Sequence, residues 1–172
     1  MTKNQVRPAR VDDAAELTQI AVRATKNDGY DDIAIARFMP ALKINLALIA
    51  AGLVFVADGE DGVLRGHVAI RPTGIGGLVL LEGIFVDPTY ARKGVGTGLF
   101  ATAVELSRKL AGNVILITSS PSSIGFYARL GANKIGMTPF VFSPEVKLSM
   151  FAFEIPPASS NGAEAACGSR PT

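Results

Sequence analysis

The residues best suited to chemistry form a glycine-rich stretch that directly follows a cation pair, Arg92-Lys93-Gly94-Val95-Gly96-Thr97-Gly98. A strand pattern ends before this stretch at Val86, and an amphipathic helix pattern begins within it. The first N–H groups of a helix have no partner within the helix, and the positive end of its dipole lies there. Glycine lets an anion approach this backbone closely. The stretch therefore predicts a site for a phosphate or diphosphate group, with Arg92 and Lys93 adding charge.

Other phosphate loops fit this stretch poorly. The Walker pattern requires Gly-Lys-Ser/Thr, which does not occur, and the dinucleotide fingerprint requires a third glycine three residues after the second. Here Gly98 follows Gly96 by two residues. A nucleotide-binding domain is disfavoured, whereas a tight turn with glycines placed only for packing stays open as an alternative.

Two titratable residues are candidates for a general base. Glu82 is the only charged residue of the strand pattern 77–86, and strict alternation would place Leu80, Glu82, Ile84 and Val86 on one face. Glu82 is either a base or a structural carboxylate paired with Arg71 or another cation. His67, predicted on the neighbouring strand, is a second candidate, although a satisfied histidine within the sheet is the more common case.

Composition excludes several classes of protein. The 172 residues carry a net charge of +2, which is too weak to make nucleic acid or an anionic membrane the main partner. Residues 87–134 hold six basic and two acidic side chains, a local charge of +4 that suits a small anionic ligand. One histidine and one cysteine, Cys167, exclude a multi-histidine site and a disulfide within the chain. No metal is expected.

Two features of the chain favour a cytoplasmic location. The N-terminus lacks an apolar signal region. The longest apolar run, Leu46 to Ala57, has 12 residues, whereas a spanning helix needs about 20.

Periodicity predicts an α/β protein with a mixed sheet of about six or seven strands and about four flanking helices. A single domain over 1–155 is followed by a tail, 156–172, whose composition predicts disorder. One predicted helix follows Asp31 to about residue 50 and is interrupted at Pro40. The other predicted elements are strands at 4–10, 53–58, 63–71, 77–86, 114–118, 133–137 and 147–155, and helices at 13–26, 96–111 and 122–130.

Two motifs in this order resemble the GNAT superfamily of acetyl-CoA-dependent N-acetyltransferases. The first is Val86-Asp87-Pro88 with Ala91-Arg92-Lys93-Gly94-Val95-Gly96, and the second is Phe126-Tyr127-Ala128-Arg129-Leu130-Gly131-Ala132. The resemblance covers about residues 4–155. Ala91 stands where the family has Gln or Arg, and the loop Ser119-Ser120-Pro121-Ser122-Ser123 lacks the family's asparagine. Residues 26–31 are similar to an element that shapes the acceptor pocket in one branch of the family, which would bring Asp28, Tyr30 and Asp31 to the acceptor. A solvated loop is the alternative for these residues.

The resemblance implies a direct transfer of acetyl from acetyl-CoA to an amine. It implies that the cofactor contacts Ile84, Phe85, Val86, Ser119 and Phe126 beside the loop residues Arg92, Lys93, Gly94, Val95, Gly96, Thr97 and Gly98. A backbone N–H around Phe85 or Val86 would polarise the thioester, and Tyr127 would donate to the leaving thiolate. Without the motif, Tyr127 reads as a core aromatic. A non-catalytic acyl-CoA-binding domain is the alternative function, and a homodimer is left open.

Overall fold

A single seven-stranded sheet organises the protein. The computed structural model describes residues 5–157, so Cys167 and all but the first two residues of the predicted tail lie outside the described residues. The strands lie in the order β1-β2-β3-β4-β5-β7-β6, and only the β4–β5 pair is parallel. The predicted mixed sheet is thereby confirmed. The strands are β1 Gln5–Pro8, β2 Val54–Asp58, β3 Leu64–Pro72, β4 Leu78–Val86, β5 Val114–Ser119, β6 Asn133–Phe140 and β7 Ser143–Glu154.

Helices cover both faces of the sheet. The core on one face contains the buried stripe of α4 and residues of α5, and two further clusters on the other face contain residues of α1, α2 and α3. Leu99 and Phe100 of α4 are buried against the central strands, as their helical spacing predicts. The helices are α1 Ala14–Asn27, α2 Asp32–Leu42, α3 Leu46–Ala50, α4 Val95–Lys109 and α5 Ile124–Arg129.

The predicted helix break at Pro40 is wrong, because Pro40 lies inside α2. The chain instead bends at Lys43–Asn45. A new helix starts there since the Asn45 side chain accepts a hydrogen bond from the Ala47 N–H at 2.9 Å. The whole segment Asp32–Ala50 has a mean hydropathy of 1.6 and by length and composition alone resembles a membrane-spanning helix. In the structure it is two helices whose apolar residues contribute to the two clusters beneath α1–α3.

The last two strands are longer than the sequence predicts. The expected strands 133–137 and 147–155 are Asn133–Phe140 and Ser143–Glu154, joined by a tight hairpin at Val141-Phe142. Pro139 and Pro144 interrupt the strand pattern in the sequence, but a proline is tolerated where a strand is not paired on its N–H side. The extension carries Phe140 towards α2, where its ring lies 4.9 Å from that of Phe38.

The sheet divides between β4 and β5, and a β-bulge lies at the point of division. The β3–β4 register passes from Ala69↔Gly83 to Ile70↔Leu81, so Glu82 is an extra residue on β4. The β4–β5 ladder ends at Leu81↔Ile117. Beyond that point β4 stays paired with β3, while β5 stays paired with β7 as far as Ser119.

The bulge also exchanges the two faces of β4. Val79 and Leu81 point into the core beneath α4, and beyond the bulge it is Ile84 and Val86 that pack against this core. Phe85 packs against the clusters beneath α1–α3. The alternation predicted for Leu80, Glu82, Ile84 and Val86 is therefore wrong, because an inserted residue shifts the two-residue period by one.

His67 is fully enclosed within the sheet. It lies on β3 opposite Val56 and Phe85, is 2% exposed, and its Nδ1 has no hydrogen-bond partner. Burial disfavours the charged imidazolium and lowers the pKa of His67 from 6.5 to about 4. His67 therefore stays neutral in the folded protein at neutral pH.

This burial predicts an acid-sensitive component of stability. Because the unfolded chain binds a proton at His67 near pH 6.5 and the folded protein only near pH 4, the free energy of unfolding falls as the pH decreases through this window. At pH 4.5 the loss from this group is about 2–3 kcal/mol relative to pH 7. Urea unfolding of wild type and His67→Gln at both pH values measures it. The variant should lose correspondingly less stability on acidification, and identical losses in the two proteins would contradict the assignment.

Candidate functional site

The principal cavity lies where the sheet divides. It has a volume of about 910 Å³ and is lined on one side by residues 82–86 of β4 and on the other by Thr118 and Ser119 of β5. The glycine loop and residues of α5 line it as well, together with the end of α1, parts of α2, and β6–β7. Both motifs that the sequence analysis singled out therefore contribute to one cavity.

The β4 backbone presents free donors to this cavity. The Asp87 N–H donates to the Arg65 carbonyl at 2.9 Å, and the antiparallel alternation then turns the N–H groups of Phe85 and Gly83 towards β3. The same alternation turns the N–H groups of Ile84 and Val86 towards the opening, where β5 no longer pairs with them. Of the two predicted donors, the geometry favours Val86 over Phe85.

The glycine loop presents a second set of donors. Gly94 has φ of 80° and directly precedes α4, so the first N–H groups of that helix, at Val95, Gly96 and Thr97, have no partner within it. The Gly98 N–H already donates to the Gly94 carbonyl at 3.0 Å. A Cβ on Gly96 would lie 3.3 Å from the ring of Phe126 and 3.6 Å from Val86. Gly96 therefore lets the helix start lie close against both neighbours.

Arg92 holds an unusual backbone conformation within this loop. Its φ is 59°, in the left-handed region that costs a residue with a side chain about 1 kcal/mol or more. The side chain lines the cavity next to Ala91. Arg92 is thus the loop cation that the structure places at the cavity.

Lys93, Val95 and Gly98 do not line the cavity, although the sequence analysis included them in the site. The Lys93 ammonium donates to the Thr89 carbonyl at 3.1 Å and lies 5.5 Å from the centre of the Tyr90 ring. The Val95 side chain is 3% exposed in the core, so only its N–H remains available. The Lys93 and Val95 side chains are thus held by contacts within the fold rather than directed to the cavity, and Gly98 has no side chain to contribute.

Asp87 fastens the start of the loop to α1. Its carboxylate accepts hydrogen bonds from the Thr89 N–H at 2.9 Å and from Arg23 Nε at 2.7 Å. Burial alone raises the pKa of Asp87, but these hydrogen bonds outweigh it and hold the pKa below its usual value. Asp87 is therefore a charged clamp at neutral pH. On the other side of the loop the Arg65 guanidinium lies 4.9 Å from the Tyr90 ring centre.

Tyr127 lines the cavity from α5 while being 5% exposed. Its ring packs edge-to-face against Phe126 at 5.0 Å and near Phe151 at 6.0 Å. Burial raises the pKa of Tyr127 well above its usual value near 10, because the phenolate would be poorly solvated. The hydroxyl therefore remains a hydrogen-bond donor throughout the physiological range.

The serine loop, residues 119–123, follows β5 and contacts the end of α1. Ser119 is 2% exposed and donates to the Ser120 carbonyl, and Ser120 Oγ lies 2.8 Å from Ser122 Oγ. Ser120 Oγ also reaches Asp28 Oδ2 at 3.4 Å. The loop thus connects the predicted cofactor half of the cavity with the predicted acceptor half.

Glu82 lines the cavity and pairs with Arg71, whose Nε lies 2.5 Å from Glu82 Oε1. The side chain of Glu82 is 35% exposed, so the pair is partly solvated. This is the structural partner that the sequence analysis named, and its role as a base stays a prediction. His67 does not line the cavity, and its burial within the sheet leaves it no access to a ligand there.

The predicted acceptor half of the cavity contains residues that the sequence analysis missed. Asp28 and Tyr30 line the cavity as predicted, whereas Asp31 caps α2 by accepting from the Ala34 N–H at 2.8 Å. The missed lining residues come from α2, α5 and the β6–β7 hairpin. They include Phe38, Arg129, Phe140, Val146 and Leu148. Arg129 lies within the Phe126–Ala132 motif but the sequence analysis gives it no role, and no local motif marks the others because they meet only in the folded sheet.

The profile of the acetyltransferase (GNAT) family matches residues 14–132. The chain belongs to the acetyltransferase (GNAT) family. The match includes the glycine loop, the divided part of the sheet and the Phe126-Tyr127 motif, and membership makes the protein an N-acetyltransferase by class. A comparison with curated proteins finds no significant match.

Solved structures with this fold span nearly the whole chain. The PaiA N-acetyltransferase from Thermoplasma acidophilum in complex with coenzyme A has a TM-score of 0.71 at 16% identity, covering 88% of this chain and 99% of that one. A GNAT family acetyltransferase from Brucella melitensis in complex with acetyl-CoA has a TM-score of 0.64 at 21% identity, covering 91% of each chain. The ribosomal-protein-S18-alanine N-acetyltransferase from Escherichia coli has a TM-score of 0.62 at 17% identity, covering 92% and 98%. At these identities the likeness is one of fold.

Proposed function

We propose that the protein transfers an acetyl group from acetyl-CoA directly to a primary amine. The observation that carries this proposal is the meeting, in one cavity, of the unpaired β4 backbone, the glycine loop and the Tyr127 hydroxyl. The Brucella melitensis relative was solved with acetyl-CoA, and the Thermoplasma acidophilum relative with coenzyme A. Both support acetyl-CoA as the donor here.

The glycine loop would hold the diphosphate of acetyl-CoA. The N–H groups at the start of α4 and the positive end of its dipole supply the donors. Arg92 lines the cavity beside Ala91 and can supply the side-chain contact that the family's Gln or Arg makes at position 91. Its strained backbone is consistent with a loop shaped for a ligand rather than for a turn alone.

The thioester would lie along β4 beyond the bulge. There the Val86 N–H can donate to the thioester carbonyl oxygen and, more strongly, to the oxyanion that forms when the amine attacks. The amine nitrogen forms a bond to the carbonyl carbon, and the carbon–sulfur bond then breaks to release the thiolate of coenzyme A. The proton lost by the amine balances the reaction by ending on that sulfur.

Tyr127 and Glu82 would assist the proton movements. Because the pKa of Tyr127 is raised, while a thiol has a pKa near 8.5, the phenol stabilises the thiolate by donating a hydrogen bond rather than by becoming a phenolate. Glu82 lines the same cavity and would accept the amine proton directly or through water. Its pairing with Arg71 keeps the carboxylate oriented.

A first test compares two glycines of the loop. Gly96→Ala places a methyl group against Phe126, at the helix start where the phosphate would bind, and should weaken acetyl-CoA binding about tenfold or more, the equivalent of one charge-assisted hydrogen bond. Gly98→Ala is the matched control, since its Cβ meets nothing within 4 Å and its N–H is already used in the helix. Calorimetric titration with acetyl-CoA measures both. Equal affinities in the two variants would contradict the placement of the diphosphate.

A second test separates catalysis from binding. Tyr127→Phe and Glu82→Gln should each leave the Kd for acetyl-CoA within a factor of a few, while lowering kcat by about 10²-fold or more, as loss of a proton-handling group does. Thiol release with an amine acceptor measures the rate, and calorimetry measures the Kd. If the wild type binds acetyl-CoA but releases no thiol with any amine, the protein is an acyl-CoA-binding domain instead, whereas thiol release that neither substitution slows would exclude Tyr127 and Glu82 from catalysis.

A further inference from the structure

We infer that the acceptor is a small primary amine carried on an aromatic or branched apolar group, an inference that rests on the proposed function. It follows from the chemistry of the part of the cavity built by α2 and the β6–β7 hairpin. This part has an apolar wall on which five side chains meet, Tyr30, Phe38, Phe140, Val146 and Leu148. We call these five residues the apolar wall.

The aromatic members of the apolar wall form a continuous edge-to-face series. The Tyr30 and Phe38 rings lie 5.2 Å apart at 73°, and the Phe38 and Phe140 rings lie 4.9 Å apart at 78°. Phe38 is 5% exposed and is fixed by the cluster beneath α1 and α2. A rigid aromatic surface of this kind gains most from a ligand that buries a ring or branched apolar group against it.

Two carboxylates face the same cavity. Asp28 stands at the end of α1, and Glu82 stands on the bulge of β4, where its ion pair with Arg71 partly neutralises its charge. An alkylamine has a pKa near 10.4, so it arrives protonated, and the carboxylates favour this ammonium group. The lining cations, Arg92 and Arg129, come from the glycine loop and α5 rather than from the apolar wall. An acceptor whose own carboxylate adjoins its amine would therefore place a negative charge near Asp28 and Glu82.

Two contacts join α2 to the hairpin across this end of the cavity. They are the Phe38–Phe140 ring contact and an ion pair in which Arg37 Nη1 lies 3.5 Å from Glu145 Oε1. A polypeptide acceptor that continued beyond its reacting residue in this direction would have to separate these contacts. A small molecule need not separate them, and this favours a small acceptor over a protein segment.

The test compares different acceptors with the full-length protein at saturating acetyl-CoA, and the rate of thiol release measures the reaction. Phenethylamine should be acetylated with a kcat/KM at least about tenfold above that of ethylamine, because only the former buries a ring on the apolar wall. The kcat/KM for phenethylamine should likewise exceed the kcat/KM for spermidine, for phenylalanine and for a short peptide with a free N-terminus. If spermidine, phenylalanine or the peptide reacts as well as phenethylamine, the inference is wrong although the proposed function stands.

Two further outcomes separate the inference from the proposed function. Binding of acetyl-CoA in calorimetry with no acetylation of phenethylamine would overturn the inference alone. Absence of acetyl-CoA binding by folded protein would overturn the proposed function, and the inference with it.

A matched pair of variants assigns the preference to the apolar wall. Phe140→Ser should raise the KM for phenethylamine about tenfold or more while leaving that for ethylamine and the Kd for acetyl-CoA nearly unchanged. Val141→Ser is the control, because Val141 adjoins Phe140 in the hairpin, is 77% exposed and does not line the cavity. Equal effects of the two substitutions on phenethylamine would overturn the inference. Asp28→Asn should reduce the ratio of kcat/KM for phenethylamine to kcat/KM for phenylalanine. An unchanged ratio would contradict the inference that Asp28 disfavours acceptors with a carboxylate next to the amine.

Discussion

The structure depends on the loss of pairing between β4 and β5 after Leu81 and Ile117. Up to this point the sheet is continuous, and beyond it each of the two strands follows its other neighbour. Backbone donors that a regular sheet would use up are thereby left facing a cavity. An enclosed backbone N–H without a hydrogen-bond partner costs free energy. A ligand that accepts hydrogen bonds from these N–H groups replaces the partners that β5 would supply in a regular sheet, and this favours its binding. The bulge at Glu82 bends β4 at the place where this separation starts.

The surrounding elements fix the position of the glycine loop relative to the unpaired end of β4. Asp87 holds the end of β4 to α1 through Arg23, and the Tyr90 ring is in contact with the cations of Arg65 and Lys93. These contacts fix the path of the chain from the unpaired backbone of β4 to the start of α4. The distance between the two sets of N–H groups is therefore set by the scaffold, as a ligand with an anionic group at one end and a carbonyl at the other requires.

Local sequence signals predict the side of the cavity formed by the glycine loop and α5 better than the side formed by α2 and the β6–β7 hairpin. Each of the two motifs is a continuous stretch of sequence. One is the glycine loop with its flanking strand and helix, and the other is the Phe126-Tyr127 motif, so residue types and spacing identify both. The bulge at Glu82 has no such signal, and strict alternation placed Ile84 and Val86 on the wrong face. The apolar wall was not predicted for two reasons. Pro139 and Pro144 interrupt the strand pattern of the β6–β7 hairpin, and the hairpin residues contact α2 only in the folded structure. Lys93 shows the converse case, since this cation beside the glycines contacts the Thr89 carbonyl and the Tyr90 ring in the preceding turn and does not line the cavity.

The measurement that tests the account most directly is amide hydrogen exchange on β4, resolved by residue, with and without acetyl-CoA. In the free protein the N–H groups of Ile84 and Val86 should exchange faster than that of Phe85, which the ladder turns towards β3. Saturating acetyl-CoA should slow exchange at Val86 and at Gly96 of the loop, while leaving Val79 and Leu81 in the paired part of β4 unchanged. If acetyl-CoA binds and exchange at Val86 is unaffected, the opening between β4 and β5 is not where the thioester lies, and the account is wrong.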